Sequence, residues 1–78
     1  MSSGYLNKVR NIISSTSGLD KEEIHSESYF EDDLNIDEME LAEIIADLEE
    51  AYDIDIMDSK DEIETVQDLV DLLEEHLE

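Results

Sequence analysis

The chain has 78 residues and carries 25 acidic side chains against four basic ones, Lys8, Arg10, Lys21 and Lys60, for a formal net charge of −21. A charge of that sign and size repels nucleic acid and anionic membrane surfaces, and it makes basic protein surfaces the expected partners. The absence of cysteine excludes a disulfide framework, a thiolate metal site and a cysteine nucleophile, and leaves a reducing cytosolic or organellar compartment as the expected setting.

The length predicts a single domain over residues 1–78, and at this size only roughly 60% of the unfolded surface can be buried. No proline, two glycines and abundant Leu, Ile, Glu and Asp favour an all-helical chain. No apolar run approaches the ~18 residues of a membrane span, and no basic-then-apolar signal pattern opens the sequence. High charge alone also suits a disordered chain, but here the apolar residues fall on helical stripes.

In the first helix Tyr5, Val9, Ile12 and Ile13 recur at helical spacing, and Gly18 is the expected stop. A long loop follows, residues 17–36, whose Leu19, Ile24, Tyr29, Phe30 and Leu34 are expected to pin it over a bundle. Asp37 is a good N-cap for the second helix, with Glu40 three residues on. The inner stripe of that helix is Leu41, Ile44, Ile45, Leu48 and Tyr52, and Glu40, Glu43, Asp47 and Glu50 lie outside. Thr65 with Asp68 forms a capping pattern for the last helix, whose stripe is Val66, Leu69, Val70, Leu73 and Leu77. Three amphipathic helices with three apolar faces predict a small bundle.

The stretch Asp33-Leu34-Asn35-Ile36-Asp37-Glu38-Met39-Glu40-Leu41-Ala42-Glu43 resembles the prosthetic-group motif of acyl carrier proteins, Asp-Leu-Gly-x-Asp-Ser-Leu-Asp-x-x-Glu. In that family the serine hydroxyl carries 4′-phosphopantetheine; here Glu38 stands at its position. The resemblance runs from Tyr5 to Leu77. Ile54-Asp55-Ile56 is similar to the segment before the family's short third helix, with Met57 where proline is common. Residues 63–66 and 67–73 resemble the entry and body of its last helix. The stretch between Ile56 and Thr65 is about a residue short, which predicts a brief or distorted third helix. The implied fold is an all-α, acyl-carrier-like bundle of three main helices plus that short one, with a long loop after the first.

A carboxylate cannot replace the hydroxyl in phosphopantetheinyl transfer, so no prosthetic group is expected on Glu38. Two roles for it stay open: an ordinary first-turn glutamate, favoured by the helix dipole by roughly 0.3–1 kcal/mol, or a stand-in for the anionic phosphodiester. The resemblance implies a non-enzymatic, monomeric interaction module, a scaffold or regulator of fatty-acid or related acyl-transfer machinery. Ile36, Asp37, Met39, Glu40, Glu43, Asp47 and Glu50 are its expected partner surface, with exposed apolar residues anchoring what the carboxylates steer. The alternative is a genuine carrier, modified at another serine (Ser26, Ser28 or Ser59) or represented by a variant whose serine became Glu38. A third reading, a divalent-cation buffer, follows from charge alone.

Dedicated metal and catalytic sites are not expected. Asp33, Asn35 and Asp37 have the first spacings of a calcium loop, but Glu38 takes its glycine position and Ile44 its last ligand position; Asp53 and Asp55 fail likewise at Met57. His25 and His76 read as surface residues, and no nucleophile, base and oxyanion-hole set can be assembled. Tyr5, Tyr29 and Tyr52 read as core or rim aromatics, because the cations of a base-stacking platform are missing.

Overall fold

The computed structural model describes residues 3–78. Three α-helices carry the architecture: α1 Ser3–Ser17, α2 Glu38–Tyr52 and α3 Val66–Leu77. A short 3-10 turn, Lys21–Glu23, lies in the connection from α1 to α2, and a 3-10 segment, Met57–Glu62, occupies the connection from α2 to α3. The structure is therefore the expected helical bundle, and the short third helix is a six-residue 3-10 segment. The turn at Lys21–Glu23 has no apolar periodicity to announce it.

The caps follow the sequence. At the end of α1, Gly18 takes a left-handed φ of 81° and its N–H donates to Ser14 O at 2.9 Å, closing the last turn. The Asp37 carboxylate accepts from Glu40 N at 2.9 Å, and the Thr65 hydroxyl accepts from Asp68 N at 3.1 Å while Asp68 Oδ2 returns to Thr65 N at 3.1 Å. The two N-caps satisfy N–H groups that have no partner within their helix, and the Gly18 N–H takes up a last-turn carbonyl of α1.

All three stripes meet in one apolar cluster. Val9 and Ile13 of α1, Leu41, Ile44, Ile45 and Leu48 of α2, and Val66, Leu69, Val70 and Leu73 of α3 are buried. Tyr5 and Tyr52 close one side edge to face, with ring centroids 6.0 Å apart at 75°. Burial pushes both phenols above their usual pKa, and at Tyr5 the negative charge of Glu78 adds to the effect.

The long loop contributes Ile24, Phe30 and Leu34 to this core, and Leu19 packs half-buried against it. Tyr29 departs from expectation: its side chain is 47% exposed. What holds it is its backbone, which forms an antiparallel bridge with Thr65. On either side of that bridge Phe30 N donates to Glu64 O at 3.0 Å and Val66 N to Ser28 O at 3.0 Å, while Gln67 N reaches Ser26 O at 2.8 Å. The loop carbonyls thus take up first-turn N–H groups of α3.

Asn35 adopts φ 58°, in the left-handed region where asparagine is among the better-tolerated residues after glycine. The reversal there lets both neighbours, Leu34 and Ile36, point inward, at 5% and 1% exposure.

Candidate functional site

The candidate site forms where the loop delivers the chain into α2. Asp37 is extended and caps the helix; Glu38 is its first residue. The Glu38 side chain is 78% exposed, and its Oε1 lies 3.7 Å from Nζ of Lys60 on the 3-10 segment. Lys60 is only 21% exposed and stands 4.0 Å from Asp61 Oδ1 as well. One ammonium therefore bridges the start of α2 and the 3-10 segment, with its stem packed against the surface and its head at the rim.

Beside this pair opens a cleft of about 330 Å³, walled by the loop, the start of α2 and the 3-10 segment. Its floor is apolar, from Phe30, Ile36, Leu41 and Ile63. Its rim bears Glu31, Asp32, Asp37, Glu38, Asp61 and Glu64, against the single cation Lys60. Neither Lys60 nor the cleft was foreseen from sequence. The available signal was weak: Lys60 is the only Lys or Arg after Lys21 in an otherwise acidic chain.

The expected partner surface is only partly gathered. Met39 projects at 79% exposure, and Glu43 and Glu50 are exposed along α2. Asp47 is exposed too, but its carboxylate accepts from the Thr16 hydroxyl of α1 at 3.0 Å. Glu40 is half-buried. Asp37 is exposed, with one carboxylate oxygen engaged as the cap. Ile36 corrects the sequence reading: at 1% exposure it lies in the floor of the cleft and offers no apolar anchor, and its N–H donates to Phe30 O at 2.7 Å.

The attachment chemistry of the resembling motif needs a hydroxyl nucleophile on the first residue of α2, and Glu38 presents a carboxylate there. The residue does not fit the group. The other serines considered lie elsewhere: Ser26 and Ser28 in the loop, where Ser28 is 7% exposed and its Oγ accepts from His25 N at 3.1 Å, and Ser59 in the 3-10 segment. Two of the calcium-like residues, Asp33 and Asp37, are engaged with the backbone. Asp33 Oδ2 accepts from Tyr29 N at 2.8 Å and Asp37 caps α2, and among the described residues no three metal-binding side chains converge. His25 and His76 are both exposed.

A helical bundle whose acidic second helix starts at a capped, loop-delivered residue has the architecture of a carrier domain. The sequence model of the family described as "Phosphopantetheine attachment site" matches residues 7–73. An acyl carrier protein of Rubrobacter xylanophilus is 39% identical over 72 residues, covering 91% of this chain and 89% of that protein. An acyl carrier protein of Clostridium acetobutylicum is 40% identical over 72 residues, covering 91% of this chain and 94% of that protein. The chain belongs to the acyl carrier protein family, a class of carrier domains and not of enzymes. Among the described residues no helix is long and apolar enough to cross a membrane.

Proposed function

We propose that this chain, one domain over residues 1–78, is an acyl-carrier-fold docking module without a prosthetic arm, serving as a scaffold or regulator of fatty-acid or related acyl-transfer machinery. The observation that carries this reading is Glu38 at the head of α2, a carboxylate at the residue where the family's hydroxyl stands, ion-paired to Lys60. It acts as a cytoplasmic monomer on basic partner surfaces. Met39 anchors, Glu43 and Glu50 steer, and Asp37, Glu40 and Asp47 add field while also serving the fold. Reversing Glu43 and Glu50 to lysine weakens such binding chiefly through the association rate, without a loss of fold.

A second reading is favoured by the comparisons: the matched family is named for phosphopantetheine attachment and the relatives are acyl carrier proteins. On it the chain is a genuine carrier, modified at another serine or seen here as a variant at residue 38. Intact mass separates the first reading from modification at another serine. Incubation with coenzyme A, Mg²⁺ and a promiscuous phosphopantetheinyl transferase leaves the present chain unchanged on the former and adds one arm on the latter, whereas a carrier seen here as a variant at residue 38 gains the arm only when serine is restored there. A Glu38→Ser variant run in parallel shows whether the surrounding surface is still recognised, and peptide mapping locates any modified serine.

A further inference from the structure

We propose that Met39 is a reversible oxidation site, where a neutral peroxide converts the thioether to a sulfoxide and so switches the outer face of α2 without unfolding the bundle. The chain contains no cysteine, so no thiol competes for the oxidant and the thioethers are its most readily oxidised groups. Of the two methionines among the described residues, Met39 stands 79% exposed on the first turn of α2, whereas Met57 is half-buried and packs against the apolar core. Peroxide reaches the first sulfur from open solvent and the second only when its surroundings open.

The step is a two-electron oxygen transfer. A sulfur lone pair attacks one peroxide oxygen; the S–O bond forms as the O–O bond breaks, and the leaving hydroxide takes the proton of the transferred hydroxyl. Sulfur is oxidised, the peroxide is reduced, and the products are sulfoxide and water. A neutral oxidant suits the site, because Glu38 and Glu40 flank Met39 in a chain whose charge of −21 repels anionic ones. The change alters a surface and spares the core: Met39 is the one large apolar side chain of α2 left exposed, and oxidation makes it polar. Resting on the reading of the chain as a docking module, this removes the apolar anchor while the steering carboxylates stay in place. At the same exposure the sulfoxide is open to the reductases that reverse it.

The full chain is treated with millimolar hydrogen peroxide, folded and in urea, and tandem mass spectrometry of the tryptic peptide spanning residues 22–60 places each added oxygen on Met39 or Met57. Met39 is expected to oxidise at nearly the same rate in both conditions, and Met57 about tenfold or more slowly in the folded chain. A methionine sulfoxide reductase should restore Met39, and the melting temperature should not move when Met39 alone is oxidised. The switch is read with a basic amphipathic peptide of leucine and arginine, whose affinity is expected to fall about three- to tenfold on oxidation. Met39→Leu should bind like the untreated chain and ignore peroxide; Met39→Gln should bind like the oxidised one. Equal protection of the two methionines, or oxidation of Met57 first, would overturn the site. Equal binding of the peptide by oxidised and untreated chains would overturn the switch and leave the docking reading intact. No binding by the untreated chain would overturn that reading and the switch together, with the mapping still deciding the oxidation site.

Discussion

Oε2 of Glu49, on α2, accepts the backbone N–H of Ile56 at 2.8 Å, and the same oxygen takes the next N–H, that of Met57, at 3.0 Å. A helix-surface carboxylate thus caps the 3-10 segment from outside it, in a chain that lacks a Ser, Thr, Asp or Asn at the local cap position, Ile56. Because the segment carries Lys60, this contact also fixes where the ammonium meets Glu38.

Glu49→Ala leaves two partly buried N–H groups without that acceptor and is expected to cost about 1–3 kcal/mol. In a domain of this size that lowers the melting temperature by roughly 4–8 °C per kcal/mol. Glu49→Gln keeps an acceptor oxygen but loses the charge, so its loss should be the smaller. Chemical denaturation of the two variants, with amide exchange across Met57–Glu62, checks both the order and the location.

Asn35 supplies the second prediction. At φ 58° a glycine is at home and a β-branched residue is not, so Asn35→Gly should keep stability within about 0.5 kcal/mol while Asn35→Val loses about 1–2 kcal/mol or more. The motif that this segment resembles has glycine at the same position. Equal urea midpoints for the two variants would show that the backbone does not need its left-handed turn.

Stability at high pH depends on Tyr5 and Tyr52, whose phenols are held above their ordinary value. A raised folded-state pKa means that the folded protein favours the neutral phenol. The stabilisation is complete below the unfolded value of about 10 and fades as pH rises through the higher folded values. Melting temperature should therefore fall above about pH 10, and the drop should be shallower in the double variant Tyr5→Phe, Tyr52→Phe. Parallel curves for the two proteins from about pH 9 to 11.5 would remove the tyrosines from the account.

Crowding of carboxylates sets the fourth expectation. With 25 acidic residues on 78, self-repulsion opposes compaction, and the Debye length shrinks to about 8 Å at physiological ionic strength. Melting temperature should climb from low to moderate NaCl and climb further with millimolar Mg²⁺. A flat thermal scan across that range at fixed pH would contradict it.

Where side chains repeat with the helix, the sequence was sufficient. Stripes such as Leu41, Ile44, Ile45 and Leu48 name their own buried face, and Asp37, Thr65 and Gly18 are local cap chemistry readable within a few residues. The loop has no period to read. Ile36, flanked by Asn35 and Asp37, looks like an exposed apolar residue in sequence, and only the left-handed turn at Asn35 sends it inward. Tyr29 errs in the other direction, because its backbone pairs with Thr65 while its ring stays out. The pairing of Glu38 with Lys60 and the cap from Glu49 join residues on different elements, and nothing in local propensity encodes such contacts.

The carbonyls of Ser26 and Ser28 have their partners on Gln67 and Val66, about 40 residues further along the chain. During synthesis the loop and α2 are made before the helix that anchors them, so the bonds from Ser26 and Ser28 cannot form until Val66 and Gln67 have left the ribosome. A nascent chain halted after Tyr52 would present the acidic helix without its seat, and any partner that recognises the assembled surface would be kept waiting until translation of α3.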